Sequence, residues 1–452
     1  MTIGLPPFRA LHVSLNTMHS YTRASLALAF SSGMLSGGIG AQSRPPIRQL
    51  GPVQSMSRDT LGLATNIRAL PDGRLLINDV SSRRVLLVDS TFTLVSIVAD
   101  STSTTANAYG PRSGSLIAYR GDSTLFVDAA SLSMLVIDPQ GKIGRVMSVP
   151  RSQDAMMLAA GGAGAGAFYS NNHLVYRGMP AFQMRMNASG TPGAPAVADT
   201  MPIVRVNLAT RVLDTVGFVK IPKTNIGLSN SDGKFNVTIE VNPLPVIDEW
   251  SVTSDGHIAI VRGKDYHVDW MLADGTRKSS GKMPFDWKRM TDEDKAALID
   301  SVKAVRDRME AANPGQNNQL SQAYSAVMGG GSPPPNMMMM MGGGGGGAAP
   351  RGMPQVSAVV TYVSPSELSD FQPAFFATAA RADADGNVWI RTINTKPTAG
   401  GPVYDVINAN GEVVDRVQIP LERTIAGFGT GGVVFLSHTE GTVTRLERAR
   451  VK

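Results

Sequence analysis

The sequence predicts an all-β protein built from one supersecondary unit that recurs about six times along 452 residues. Each unit contains a polar turn, a short apolar strand, a second turn and a further strand. Glycine and Asp or Asn adopt the positive φ angles of tight hairpin turns, so the repeat has a cause in the backbone. The clearest first turns are Asp72-Gly73, Gly121-Asp122, Asp255-Gly256 and Asp385-Gly386.

The first two copies each show four strands separated by turns, as an antiparallel meander requires. The strands of copy one are expected at residues 67–70, 75–77, 85–88 and 94–98, and those of copy two at 116–119, 124–127, 134–137 and 145–149. Copy three is degenerate and carries an inserted loop at 178–201, and copy four begins at 249–252. Copy five begins at 377–382, while copy six begins at 425–428 and is one strand short.

The spacing of the first turns predicts how the copies are arranged. Once the inserted loop and the segment 283–355 are set aside, the turns recur roughly every 45 to 60 residues, as four-stranded propeller blades require. Residues 50–452 are therefore predicted to form a six-bladed β-propeller of four-stranded antiparallel blades. The segment 53–63 could supply the strand missing from copy six, closing the ring and removing exposed sheet edges.

At this point the chain resembles the bacterial six-bladed propeller proteins of the NHL and TolB-like kind. The resemblance is carried by the repeated Asp-Gly turns, by the run from Trp250 to Arg262 with Tyr266 close behind, and by a helical interruption after copy four. It implies the propeller fold. It also implies an alternative activity, because some six-bladed propellers are calcium-dependent lactonases or esterases.

Composition limits the classes of function. The chain has no cysteine, which excludes disulfides, thiolate metal sites and cysteine nucleophiles. The net charge of +6 is too small and too evenly scattered to argue for nucleic acid. Residues 1–41 are interpreted as an export leader, with Met18 as a possible true start. The alternative is a disordered tail; with a working leader, the mature chain is periplasmic or extracellular.

The segment 283–355 interrupts the β pattern. Thr291 is a plausible N-cap for a helix over residues 291–311, with Leu298, Val302, Val305 and Met309 on one stripe. That stripe could bind a partner helix or, as the favoured alternative, pack on the protein itself. The glycine, methionine and proline tract that follows is predicted to be disordered, in preference to a Cu(I) site.

Candidate metal ligands follow from the resemblance rather than from spacing. Five acidic residues could point toward the axis as hard oxygen ligands, although Asp in turns more often caps the backbone. One sequence does not show that they converge, so no metal and no cofactor are assigned. The five are Asp79, Asp128, Asp248, Glu249 and Asp383.

Trp250, Arg262 and Tyr266 in copy four combine aromatic area with a fixed cation, as binding hot spots do. The alternative is an aromatic pair packed between blades, with Arg262 paired to an Asp. We therefore expect a non-catalytic scaffold that uses these three residues to bind a protein, peptide or glycan of the cell envelope. A calcium-dependent hydrolase of lactones or esters is the rival, and no catalytic residue is assigned.

Overall fold

The computed structural model describes residues 43–101, 109–112, 114–160, 167–183, 196–231, 234–312, 356–394, 400–441 and 443–451. The leader predicted over residues 1–41 and the low-complexity tract within 313–355 lie outside the described residues. Both interpretations stay predictions.

Two short strands precede the repeats, and the first two sheets are four-stranded antiparallel meanders. The leading strands are β1 (Ile47–Gln49) and β2 (Ser55–Met56). Sheet 1 contains β3 (Ala64–Ala69), β4 (Leu75–Asp79), β5 (Arg84–Val88) and β6 (Leu94–Ala99). Sheet 2 contains β7 (Ser115–Ala118), β8 (Thr124–Asp128), β9 (Ser133–Ile137) and β10 (Ile143–Ser148), followed by helix α1 (Ala155–Ala159).

Sheets 3 and 4 keep the same order despite insertions. Sheet 3 contains β11 (Phe168–Ser170), β12 (His173–Arg177), β15 (Thr200–Asn207) and β16 (Leu213–Lys220), with the hairpin β13 (Phe182–Gln183) and β14 (Ala196–Val197) inserted in it. A separate three-stranded sheet contains β17 (Asn225–Ser231), β18 (Lys234–Val241) and a later strand, β23 (Val356–Tyr362). Sheet 4 contains β19 (Glu249–Val252), β20 (Ile258–Arg262), β21 (His267–Met271) and β22 (Arg277–Ser279).

The last two sheets recruit the N-terminal strands. Sheet 5 contains β24 (Phe375–Ala382), β25 (Val388–Thr392), β26 (Val403–Ile407) and β27 (Val413–Gln418), and β1 pairs in parallel with β27. Sheet 6 contains β28 (Arg423–Gly429), β29 (Val433–Glu440) and β30 (Val443–Arg450), and β2 pairs antiparallel with β30. The strand missing from copy six thus comes from the segment 53–63, whereas β1 was not predicted.

Buried apolar clusters link neighbouring sheets in a cyclic order. Tyr109 and Phe126 belong to the cluster of sheets 1 and 2, and Trp250 belongs to that of sheets 3 and 4. Further clusters join sheets 2 and 3, sheets 4 and 5, and sheets 5 and 6. A sixth joins sheet 6 back to sheet 1 through Phe435 and Leu75. The prediction of an all-β chain of four-stranded antiparallel sheets is confirmed, and this arrangement supports a β-propeller.

The turns have the local chemistry that the sequence predicts. Gly73 and Gly386 have φ of +85° and +89°, values that a side chain would make costly. In the second turn of copy one, the Asp89 carboxylate accepts hydrogen bonds from the backbone N–H groups of Thr91 and Thr93 at 2.8 and 2.9 Å. Asp138 does the same for Gln140 and Lys142. Such Asx turns orient both strands of each hairpin.

Helix α2 (Asp292–Ala312) confirms the predicted helix and its N-cap. The backbone N–H of Asp294 donates to Thr291 Oγ1, and the backbone N–H of Thr291 donates to the Asp294 carboxylate. The buried face differs from the predicted stripe, because Lys295 and Ile299 are buried whereas Val305 is 43% exposed. Ile299 packs on the chain's own Leu244 and Leu368. None of the described helices is long and apolar enough to span a membrane.

Candidate functional site

The innermost strands of the six sheets surround a cavity of about 1110 Å³. These strands are β3, β7, β11, β19, β24 and β28, and each contributes residues to the wall. The first hairpin turns of several sheets, including Gly73 and Ser254, lie at the same cavity. A volume of this size accommodates a molecule as large as an oligosaccharide or a short peptide.

Small side chains leave this space open. Ala69, Ala118, Ala382, Ser251 and Gly427 all line the wall from inner strands. Because the inner strands of six sheets line the same cavity, large side chains on them would fill it. Alanine, serine and glycine on first strands are therefore the sequence signal from which the cavity could have been found.

Two arginines extend into the cavity from inner strands. Partial burial lowers the pKa of Arg68 on β3 and of Arg381 on β24, since protein atoms replace part of the water around each guanidinium. Arg68 Nε donates to Thr124 Oγ1 at 3.2 Å. The Arg381 side chain makes no hydrogen bond or ion pair with another described residue. Neither arginine was singled out by sequence reasoning.

Glu249 begins β19 and is 4% exposed. Its carboxylate accepts the backbone N–H of Thr378 at 2.8 Å and that of Ala380 at 3.4 Å. Burial raises the pKa of Glu249 to about 7, although the nearby Arg177 and these two donors favour the ionised form. Thr378 has φ of +66°, which is unusual for a β-branched residue, and it lies where the register of β24 shifts. The carboxylate thus holds a strained bulge in place.

The other predicted metal ligands do not converge with Glu249. The Asp79 carboxylate accepts the backbone N–H groups of Gly62 and Leu63, and Asp248 pairs with Arg262 at 2.7 Å. The side chains of Asp128 and Asp383 accept hydrogen bonds within their own turns. Within the described parts of the chain, no three His, Cys, Asp or Glu side chains form a group that could hold a metal. These residues do not fit a calcium centre.

The structure places the predicted binding trio in separate environments. Trp250 is 1% exposed in the cluster of sheets 3 and 4, and Tyr266 is fully buried in the cluster of sheets 4 and 5. Arg262 forms ion pairs of 2.7 Å with both Asp248 and Asp269. The three side chains share no exposed surface and have the packing of the alternative interpretation. Ligand binding by these residues stays a prediction.

Tyr266 instead belongs to a buried polar network. Its hydroxyl donates to Asp405 Oδ2 at 2.9 Å, and Asp405 also lies within ion-pair distance of Arg416 and Arg44. Burial raises the pKa of both Tyr266 and Asp405. The network connects sheets 4 and 5 to the N-terminal segment, so its role is structural.

Comparisons with known proteins give structural likeness alone. No protein-family model matches the chain, and no curated protein matches it either. A gluconolactonase from Xanthomonas campestris is 12% identical, with 90% of this chain and 100% of that chain covered and a TM-score of 0.34. Virginiamycin B lyase from Staphylococcus aureus is 9% identical over 89% of this chain and 99% of that one, with a TM-score of 0.35.

Regucalcin, a calcium-binding protein from Agrobacterium tumefaciens, is 10% identical over 90% of this chain and 97% of that chain, with a TM-score of 0.32. All three are propeller proteins. Because each TM-score is below 0.5, the likeness supports no argument about this chain, whose architecture rests on its own strand pairing. The narrower resemblance to the NHL and TolB-like kind stays a prediction.

Proposed function

We propose that this chain is a six-bladed β-propeller of the NHL and TolB-like kind, and that it is a non-catalytic binding scaffold. It is exported to the periplasm or the extracellular space, where it acts as a monomer and binds a protein, peptide or glycan of the cell envelope. Nucleic acid is not its ligand. The six sheets are the blades, and β2 closes the ring by completing sheet 6.

The single observation that carries this proposal is the axial cavity of about 1110 Å³. Rigid inner strands surround it, so a ligand would find a site that needs little rearrangement. The first turns lie at the cavity, and the residues that precede their shared Asp-Gly pairs, Pro71, Ser254 and Ala384, differ between sheets. Loops on a rigid scaffold are where propellers and other β proteins acquire specificity.

A capture experiment tests the proposal with a cavity-filling variant. Ala118 lines the cavity, so Ala118→Trp should occupy the space that a ligand needs. Thr215 lies exposed on β16 outside the cavity wall, and Thr215→Trp adds the same side chain there as a control. Tagged wild type and Thr215→Trp should recover the same partner or glycan from a cell-envelope extract. Ala118→Trp should recover far less, and equal recovery would show that the ligand does not bind in the cavity.

The second candidate is a hydrolase of lactones or esters, and one observation favours it. A carboxyl with a pKa of about 7, such as that of Glu249, exchanges protons near neutral pH as a general acid or base must. The described acidic residues do not fit calcium, so no step is assigned to a metal. Hydrolysis of a lactone panel by wild type, lost in Glu249→Gln, would support this enzyme over the scaffold.

A further inference from the structure

The charged side chains of the cavity wall are strongly unbalanced. Among the described residues that line it, the charged ones are Arg68, Arg381, Arg448, Arg450 and Asp383. Four positive charges therefore face one negative charge. The single acid is already occupied, because the Asp383 carboxylate accepts its own turn's N–H groups and Trp389 Nε1 at 2.9 Å.

The arginines differ in how far the protein satisfies them. The guanidinium of Arg448 stacks over the rings of Phe92 and Phe435, with 5.2 and 5.5 Å to the centroids. The Arg68 side chain has one hydrogen bond, through Nε to Thr124, and its charge is attracted by Asp122 without an ion pair. The Arg381 guanidinium has no hydrogen bond or ion pair to any described side chain, while its backbone pairs with Trp389 of β25. Two cations on inner strands thus present donors without a described protein partner at the cavity wall.

Arg68 and Arg381 are half-buried, so each guanidinium loses part of its hydration, at a cost in free energy. Protein interiors avoid this cost unless a partner arrives, and a carboxylate or phosphate accepts two parallel hydrogen bonds from one guanidinium. Aromatic side chains of the same wall, Phe168 and Phe428, offer apolar contact to the rest of a ligand. The site has the composition of a pocket for an organic anion.

We infer that the part of the ligand that enters the cavity carries at least two carboxylate or phosphate groups, which Arg68 and Arg381 hold. The inference rests on the proposed function, because it names the chemistry of the ligand that the scaffold takes into its cavity. A carboxylate and a phosphate present the same paired oxygens to arginine, so this recognition chemistry is shared. The probes below distinguish between them.

Calorimetric titration of the full chain with citrate and with pyrophosphate tests the inference. The trimethyl ester of citrate has the same carbon skeleton without charge and is the matched ligand control. At least one anion should bind with a Kd below about 1 mM, and the ester should not bind. If neither anion binds, or if the ester binds as well as citrate, the inference is wrong.

Arginine variants locate the binding. Arg68→Gln and Arg381→Gln should each raise the Kd about tenfold or more, as expected for loss of a charge-assisted hydrogen bond. Arg391 is exposed on β25 outside the cavity wall, so Arg391→Gln removes the same charge without effect on the Kd. An equal loss in Arg391→Gln would show nonspecific attraction to the basic chain and overturn the assignment.

Thermal unfolding separates a ligand-binding arginine from a structural one. Arg381→Gln without ligand should unfold at the same temperature as wild type or higher, and it should lose the stabilisation that the anion gives wild type. A lower unfolding temperature without ligand would make Arg381 structural and refute its role. If Ala118→Trp abolishes capture but neither anion binds, the proposed scaffold function stands and only the inference of an anionic ligand is wrong.

Discussion

Replacing Glu249 with glutamine should remove a large part of the pH dependence of folding stability. Glu249 is buried, and its carboxyl accepts the backbone N–H groups of Thr378 and Ala380. Burial raises the pKa of this carboxyl from the ordinary 4.5 to about 7. Glutamine keeps an acceptor oxygen for the Thr378 N–H and loses the longer bond of 3.4 Å from Ala380. Because it has no charge to bury, the difference in pH dependence between the two proteins isolates the titration.

The sign and the magnitude follow from linkage. In the unfolded chain the carboxyl loses its proton near 4.5, whereas in the folded protein it keeps the proton up to about 7. Between these values the folded state binds more protons, so stability falls as pH rises through this window. Each pKa unit corresponds to about 1.4 kcal/mol, which gives a loss of about 3 kcal/mol above neutral pH.

Guanidinium chloride unfolding of wild type and Glu249→Gln at about pH 5 and about pH 8 measures this loss. Wild type should lose about 3 kcal/mol more than the variant over that interval. Glu422→Gln, at an exposed glutamate, should behave as wild type does. Parallel pH dependences in wild type and Glu249→Gln would refute the reasoning, because they would mean that Arg177 and the two donors keep the carboxylate ionised.

Three further outcomes are expected. Tyr266→Phe should reduce the free energy of unfolding by about 1–3 kcal/mol in chemical denaturation, because Asp405 loses a buried donor. The Tyr404 hydroxyl bonds to no described residue, so Tyr404→Phe should reduce this free energy by less. Equal reductions in the two variants would contradict the reasoning. Deleting residues 42–56 exposes the edge of β30 and should give oligomers or aggregates in light scattering, whereas a soluble monomer would argue against the strand's protective role. Deleting residues 1–41 should retain the chain in the cytoplasm on fractionation, and unchanged export would refute the leader.

The strands and turns of the repeats could be predicted because their signals are local. An Asx turn such as Asp138-Pro139-Gln140-Gly141 specifies its own hydrogen bonds, and the alternating strands on either side specify which faces are buried. The fourth strand of sheet 6 was also predictable, because counting strands showed that one was missing and only one segment could supply it.

Other elements depend on partners distant in the chain. The strand β18 pairs in parallel with β23, more than a hundred residues later, and nothing in either segment specifies that neighbour. The predicted stripe of α2 was displaced by one position because Lys295 is buried against Asp370, with 2.7 Å between Nζ and Oδ1. A periodicity argument assigns lysine to solvent, so it could not find this contact.

The candidate site could not be predicted from local sequence signals, because it depends on contacts between distant parts of the chain. Aromatic side chains near an arginine suggested a recognition surface at Trp250, Arg262 and Tyr266, yet aromatic side chains also fill the space between sheets. Arg68 and Arg381 look ordinary in the sequence, since isolated arginines are common on exposed strands. Their position at the cavity follows only from six inner strands meeting around one space.

The pairing of β2 with β30 has a consequence for how the chain is made. The backbone N–H of Leu446 donates to Ser57 Oγ across 389 positions, so a segment synthesised early is held by one synthesised much later. Contacts between such remote positions form slowly and late. Earlier sheets can collapse during translation, but β2 cannot pair until β30 has been synthesised, which leaves the nascent polypeptide dependent on chaperones until then.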